Sequence, residues 1–480
     1  MSIDDTANES VNLTAQPWFF CGIGGSGMLP LALILKGKGA QIAGSDRSRD
    51  QGRTPEKFAW LESLGFTLHP QDGSGITSAG QILVASAAVE DTVPEMVRAA
   101  ELGCRRMRRA ELLSTLFNAA PMSIAVGGTS GKSTVTGMLG WILTACGRDP
   151  TIMNGAVMKN FAGPEAPFAS ARVGAPGGPF VSEVDESDGS IAAYRPSIAV
   201  LNNVSLDHKS LEELRGLFGD FLARAGTAVV NLDDAESAAL ASRALDGALT
   251  FGIGSREADL CVAEGSVAES PLGISAVIEL RRTGERHALA LGVPGRHNLS
   301  NALAALAGAH AAGVPLGDAV QALGTYAGLA RRFDVVGTSP AGVTVIDDFG
   351  HNPEKIAATL ATLKAHPGRV IAFFQPHGYG PLRQMGAELA EVLATRLGTG
   401  DTAILCDPVY FGGTVDRSVG SERIVDMIRA HGGTAEHIPA RADCALRIAE
   451  LAAPGDRIVI MGARDDTLSA FARDLLAQLA

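Results

Sequence analysis

The stretch Ser123-Ile-Ala-Val-Gly-Gly-Thr-Ser-Gly-Lys-Ser-Thr134 reads as an apolar strand, a glycine-rich turn, and a lysine with two hydroxyls opening a helix. Such a turn brings backbone N–H groups onto phosphate oxygens. The helix N-terminus adds positive potential, the lysine neutralises charge, and the hydroxyl after it can ligate Mg²⁺. Gly128, Thr129, Ser130, Gly131, Lys132, Ser133 and Thr134 are therefore candidate contacts for ATP. The loop is shorter than the usual G-x-x-x-x-G-K-[ST]: Val126 stands where that pattern has its first glycine, and the turn begins at Gly128. A chance Gly-Lys-Ser turn is the alternative, and the strand and helix on either side weigh against it.

The chain around this loop has 480 residues, too many for one core, and at about 100–200 residues per domain roughly three are expected. With 40 Lys+Arg against 52 Asp+Glu the net charge is −12, which argues against nucleic acid or an anionic membrane as the main partner. A phosphorylated ligand must then be met by local positive groups. The six cysteines lie far apart without a C-x-x-C pair and read as reduced, buried thiols. The N-terminus is acidic and polar with no signal-peptide pattern, and no segment runs 18 apolar residues, so a cytoplasmic protein with a loose tail over 1–16 is expected.

Upstream, a strand at Trp18–Ile23 feeds Gly22-Ile-Gly-Gly-Ser-Gly27 and an apolar helix around Met28–Leu35. A second strand, Gln41–Gly44, leads to Asp46, 19 residues beyond Gly27, about where a dinucleotide site places its ribose-binding acid. Taken alone, this half says NAD. Strand and helix signals continue through Gln81–Ser86, Glu95–Leu102 and Glu111–Phe117, so a doubly wound α/β domain covers 17–120. A second α/β domain, 121–328, has strands near Phe180–Glu183, Ser197–Leu201, Ala228–Asn231 and Ile274–Leu280, a loop over 162–178, and a helix over Asn301–Ala312. A third, 329–480, has strands near Val343–Asp347, Val370–Phe374, Ala403–Cys406 and Arg457–Met461. No solenoid-type repeat is present.

Glu183-Val-Asp-Glu-Ser-Asp188 sets four carboxylates in a strand-to-loop exit. Alternation directs Glu183 and Asp185 to one side, where a P-loop protein needs a carboxylate for Mg²⁺; solvated surface is the bland alternative. In Asn202-Asn-Val-Ser-Leu-Asp-His208, His208 is either a second metal ligand or a capping or core histidine. In Gly295-Arg-His-Asn-Leu-Ser-Asn301, Asn298 and Asn301 share one helical face and can read a base edge, while Asn298 also suits an N-cap. Arg331-Arg-Phe333 is a candidate phosphate clamp, and Asp347-Asp-Phe-Gly-His-Asn352 a candidate ribose or metal loop.

Taken in order, G-I-G-G-S-G-M, Ser45-Asp46, Ser86-Ala-Ala88, Arg108-Arg-Ala-Glu111, G-T-S-G-K-S-T, E-V-D-E-S-D, Asp207-His208, G-R-H-N-L-S-N, R-R-F, D-D-F-G-H-N-P and Gln375-Pro-His-Gly-Tyr379 resemble the Mur ligase family over nearly the whole chain. The resemblance implies three α/β domains: N-terminal Rossmann-like, central P-loop ATPase-type, and C-terminal Rossmann-like. It also implies ATP-dependent joining of an amino acid, L-alanine above all, to UDP-N-acetylmuramate through an acyl phosphate in peptidoglycan precursor synthesis. ATP and Mg²⁺ are the implied cofactors, with no nucleic-acid or membrane partner.

By the same carry-over, Lys132 contacts the β- and γ-phosphates, Ser133 and Glu183 hold one Mg²⁺, and His208 holds a second. Asn298 and Asn301 face adenine, Arg332 the γ-phosphate, and Asp348 the ribose. Gly22, Gly24, Gly25, Ser26, Gly27, Asp46 and Ser86 serve the UDP substrate, and His351, His377 and Arg383 bind substrate in the C-terminal domain, which presents the amino acid. Several relatives carry a carbamylated lysine past the Asp-His pair, but this chain has no lysine between Lys209 and Lys355, which agrees with the alanine-adding branch.

Departures concentrate at the acceptor. The family's G-T-H-G-K-T-T reads G-T-S-G-K-S-T, which keeps a hydroxyl. Its Q-P-H-R-Y-T-R-T-R reads Gln375-Pro-His-Gly-Tyr-Gly-Pro-Leu-Arg383, so Gly378 and Pro381 replace two arginines. Y-A-A-G-E has become Tyr410-Phe-Gly-Gly-Thr414, and G-A-G-D has become Gly462-Ala-Arg-Asp465. Arg383 or Arg464 is a candidate for the missing charge. The open alternatives are a Mur-type ligase with another amino acid or a tripeptide, as in muropeptide recycling, a nucleotide-binding protein without catalysis, and, distantly, an NAD-dependent oxidoreductase.

Overall fold

The structure, a computed structural model, describes residues 13–206, 209–244, 247–409, 416–463, 465 and 467–479. His208, Arg464, Tyr410–Thr414 and most of the expected tail lie outside the described residues. The chain forms two compact units, one of Met1–Cys261, Leu280–Thr283 and Asn301–Ala322, the other of Val262–Glu279, Gly284–Ser300 and Leu323–Ala480.

The first unit holds an all-parallel sheet and the part of a second, mixed sheet that is parallel around the P-loop strand. In one, the strand order is Thr67–His69, Ile42–Ser45, Trp18–Cys21, Ile82–Ala85, Arg105–Arg108. The chain order reverses between Trp18–Cys21 and Ile82–Ala85, which opens the crevice where doubly wound sheets bind nucleotides. Both of these strands are buried along their length, as befits a parallel sheet covered on both faces.

In the other sheet the P-loop strand Ser123–Gly127 lies between Phe180–Glu183 and Ile198–Leu201, parallel to both. Thr227–Asn231 and Ala248–Gly252 extend the sheet on one side, and Thr151–Met153 on the other. Three neighbouring strands therefore deliver the P-loop, the acidic segment and the Asn202-Asn203 loop at one edge. Phe117, on the helix Arg109–Asn118, packs edge-on against Phe180 and Tyr194, with centroids 5.7 and 5.2 Å away. That contact joins the two sheets' helices and strands into one apolar core.

The second unit contains a six-stranded sheet, in the order Asp334–Thr338, Thr344–Asp348, Arg457–Gly462, Val370–Gln375, Thr402–Leu405, Ala435–His437. All its pairings are parallel except that of Asp334–Thr338, an antiparallel edge strand that the sequence did not single out.

Two other expectations are corrected. Residues 162–178 are not all loop, because Ala171–Arg172 pairs antiparallel with Thr151–Met153. The alanine-rich helix runs Arg296–Ala311, starting five residues before Asn301, so Asn298 lies inside it and is not an N-cap. Gly295, at φ 94°, supplies the left-handed residue at its entrance.

Arg457 begins a central strand, and its buried guanidinium donates to the carbonyls of Leu363, His366, Pro367 and Gly368. Those carbonyls lie at and just beyond the end of the helix Pro353–Lys364, so one side chain satisfies a helix terminus that the helix itself leaves open. Arg457→Met is expected to destabilise the second unit by about 2–4 kcal/mol, because several buried carbonyls lose their donors together. Urea unfolding followed by fluorescence measures it.

Candidate active site

The P-loop is a stitched backbone. Gly128 and Gly131 sit at φ 137° and 81°, and a Cβ on Gly131 would collide with the side-chain amides of Asn202 and Asn301. Thr129 Oγ1 donates to Asn203 Oδ1 at 2.9 Å, and the Ser130 amide donates to the same oxygen at 2.8 Å. Asn203 Nδ2 returns a bond to Ser130 O, and Asn202 Nδ2 donates to Ser130 O and to Asn301 Oδ1. The pair Asn202-Asn203 thus holds the loop from the neighbouring strand. Sequence reasoning quoted these residues only as the lead-in to His208.

Two consecutive P-loop residues are gripped by carboxylates of one segment. Ser133 Oγ donates to Glu183 Oε2 at 2.7 Å. Lys132 Nζ donates to both oxygens of Glu186, at 2.8 and 3.1 Å, and to Gly128 O at 2.7 Å. The Glu186 side chain is only 5% exposed, so this ion pair is almost fully desolvated.

This corrects the expectation that Glu183 and Asp185 act side by side. The strand ends at Glu183, and the chain then turns, so Asp185 accepts from the amide and hydroxyl of Ser187 while Glu186 reaches Lys132. Burial opposes the charged form of Asp185, but the Ser187 donors, with Lys132 and Arg109 nearby, outweigh it and hold its pKa below the ordinary aspartate value.

At the first sheet's switch point, Gly22–Gly27 follows Trp18–Cys21 and Ser86 follows Ile82–Ala85. Asp46 accepts from the Gly24 amide and from the Ser48 amide, both at 2.8 Å. Each of its oxygens is therefore engaged in holding the glycine loop and capping the helix Arg47–Asp50. The local positive groups demanded by an acidic chain are also here. Lys57, buried, reaches Gly24 O at 3.4 Å, and Arg109 lies over Gly27.

Of the two asparagines placed on one helical face, Asn301 has its carboxamide oxygen committed to Asn202, and Asn298 Nδ2 donates to Pro294 O at 2.7 Å.

In the second unit, Arg331 and Phe333 adopt left-handed conformations, φ 60° and 48°, that only a strongly determined loop maintains. Asp348 maintains it, accepting from Phe333 N, Gly350 N and Thr359 Oγ1. Arg331 is bound inward to Gly462 O and Asp465 O, whereas Arg332 is half-buried over the Phe349 ring. The two members of the predicted clamp therefore have separate jobs.

His351 packs edge-on against His377, with centroids 5.3 Å apart, and its Nδ1–H donates to Phe349 O. Burial, followed by the nearby Lys355, pushes its pKa down to about 4, so it is neutral near pH 7. Both histidines line a small apolar pocket, and so does Pro381. Arg383 is ion-paired with Asp416 at 2.9 Å on the exposed surface.

The chain matches the Mur ligase family catalytic domain over 19–120, the Mur ligase middle domain over 126–309, and the Mur ligase glutamate ligase domain over 331–464. It is 34% identical to a UDP-N-acetylmuramate–L-alanine ligase of Streptomyces avermitilis, covering 93% of this chain and 94% of that one. With the enzyme of the same name from Phenylobacterium zucineum it shares 36% identity, covering 95% and 94%. A solved UDP-N-acetylmuramate–alanine ligase from Thermotoga maritima superimposes with a TM-score of 0.79 at 25% identity, covering 96% and 99%. A murein peptide ligase from Psychrobacter arcticus shares the fold, with a TM-score of 0.72 at 24% identity. With these relatives matched along almost its entire length, the chain belongs to the Mur ligase family.

Proposed function

We propose that this protein is an ATP-dependent carboxylate–amine ligase that adds L-alanine to UDP-N-acetylmuramate in peptidoglycan precursor synthesis. The observation that carries the reading is the double grip of Lys132 by Glu186 and Ser133 by Glu183, in a chain a third identical to enzymes of that name. We assign the UDP substrate to residues 17–120, ATP to 121–328 and presentation of the amino acid to 329–480. A cytoplasmic site of action is proposed with it. No helix among the described residues is long and apolar enough to cross a membrane.

A carboxylate is a poor electrophile, so it must first be activated. The lactyl carboxylate attacks the γ-phosphorus, the bond to the β,γ-bridging oxygen breaks, and ADP leaves with that electron pair. The acyl phosphate is then attacked by the deprotonated amino group, and inorganic phosphate departs as the amide forms. Positioning and charge stabilisation supply the catalysis, and no protein nucleophile is needed. Lys132 brings a cation to the transferring phosphoryl group while Glu186 fixes the ammonium. Arg332, whose loop is fixed by Arg331 and Asp348, is our candidate for the γ-phosphate. Asn298 and Asn301 remain candidates for adenine and Asp348 for the ribose.

Ser133 and Glu183 fit a hard divalent cation. Their oxygens converge at 2.7 Å, and Gly155 leaves room for the carboxylate that a Cβ there would strike. We propose that they hold one Mg²⁺ and that His208 holds a second; such ions would supply positive charge to the phosphates.

One observation favours a second reading, a ligase of the same kind with another acceptor. Pro381, in place of an arginine, lines the apolar pocket beside His351 and His377, while Arg383 is committed to Asp416.

Phosphate release from ATP with UDP-N-acetylmuramate, run against single amino acids and tripeptides, decides between them. Release with L-alanine above all others is expected. Release only with a different acceptor would select the second reading, and none with any acceptor would refute the ligase assignment. Glu186→Gln should lower kcat/KM for ATP about 10- to 100-fold, the scale of one lost hydrogen-bonded charge pair, while changing UDP-substrate affinity less than about twofold. Steady-state kinetics with ATP varied reads this directly, and unchanged values would mean that Glu186 does not position Lys132.

A further inference from the structure

The segment Arg108-Arg-Ala-Glu111 has no role in the scheme above, yet it puts an unusual cation beside the glycine loop. Arg109 follows the strand Arg105–Arg108 and opens the helix Arg109–Asn118, at the carboxyl edge of the first sheet. A Cβ built on Gly27 would lie 3.1 Å from Arg109 Cδ and 3.2 Å from its Nη1. The last glycine of Gly22–Gly27 therefore makes room for an arginine.

The Arg109 side chain is 22% exposed and makes no hydrogen bond to any described residue. Among the described residues it pairs with Asp188, at 3.8 Å. Other interior arginines donate to the fold: Arg331 and Arg457 to carbonyls, and Arg369 to Asp456 and the Leu451 carbonyl. A guanidinium carries five donors in a rigid fork suited to phosphate, and those of Arg109 are not taken up by the fold. The amides of Ser26 and Gly27, on the same loop, likewise donate to no described residue.

We propose that Arg109 is a binding residue for the diphosphate of the nucleotide-sugar substrate, with Asp188 as a counter-charge that keeps the fork over Gly27. The proposal rests on the reading of residues 17–120 as the UDP-substrate domain. Phe117, packed on Phe180 and Tyr194, fixes the helix that carries Arg109 against the strand that carries Glu183. Asp185, on the turn after that strand, feels both Lys132 and Arg109, so this one turn faces the cations of both phosphate loops.

Isothermal titration of UDP and of UDP-N-acetylmuramate into wild type, Arg109→Ala, Arg109→Lys and Asp188→Asn tests it. Arg109→Ala should weaken both ligands by a similar factor, about 10- to 100-fold, and raise the KM for UDP-N-acetylmuramate while leaving that for ATP within about threefold. Arg109→Lys, which keeps the charge and lacks the fork, should recover part of the loss, and Asp188→Asn, which removes the counter-charge but leaves the fork, should weaken UDP by a smaller factor than Arg109→Ala. Unchanged UDP affinity in both arginine variants would overturn the proposal, as would a loss confined to UDP-N-acetylmuramate, which would move the contact to the sugar or its carboxylate. An equal loss in Asp188→Asn would overturn it too, making the pair a structural link. Failure of the wild type to bind UDP would instead refute the domain assignment on which the proposal rests.

Discussion

Where the strand Phe180–Glu183 ends decides how the P-loop is held. Because the strand stops at Glu183, the next carboxylate able to face the loop is Glu186, and the two meet Ser133 and Lys132 in turn. A buried carboxylate without a cation would be driven to take up a proton or to leave the interior, so Glu186 and Lys132 each make the other's burial tolerable. The parallel neighbours on either side make this geometry available. Strands in register bring their carboxyl ends to one edge, and three consecutive ends carry the loop, its acids and its asparagines.

The same principle explains how an acidic chain manages phosphorylated ligands. Its net charge is −12, so attraction cannot come from the field of the whole molecule and must come from a few placed cations. Most interior arginines serve the fold, as Arg457 does at a helix end and Arg331 does beneath its left-handed loop. Lys132 and Arg109 differ in standing at glycine-rich loops beside carboxylates of one turn, Glu186 and Asp188. Two cations that would meet phosphates are thus opposed by acids that closely follow the end of a single strand.

Much of this was legible in the sequence because it is local. Apolar runs before Gly22 and Gly128 mark strands, the glycines mark turns, and the strand boundaries fall within one or two residues of those expected. The order of short motifs carried the family. What was not legible depends on contacts between distant segments. Alternation put Asp185 beside Glu183, and only the turn at Ser187 shows that Glu186 takes that place. Asn202 and Asn203 look like spacer residues until they are seen bonded to Ser130, and Gly27 looks like a packing glycine until Arg109 lies over it. The early start of the helix Arg296–Ala311 was hidden by Gly295-Arg-His, which lacks the apolar periodicity of the alanine run.

The central claim is that the P-loop drives carboxylate activation by phosphoryl transfer, and isotope transfer tests it most directly. UDP-N-acetylmuramate labelled with ¹⁸O in both lactyl carboxylate oxygens is turned over with ATP and the amino acid, and the released phosphate is examined by mass spectrometry. The account predicts one ¹⁸O in each inorganic phosphate, passed through the acyl phosphate, with ADP unlabelled. Unlabelled phosphate, or label appearing in AMP, would contradict it.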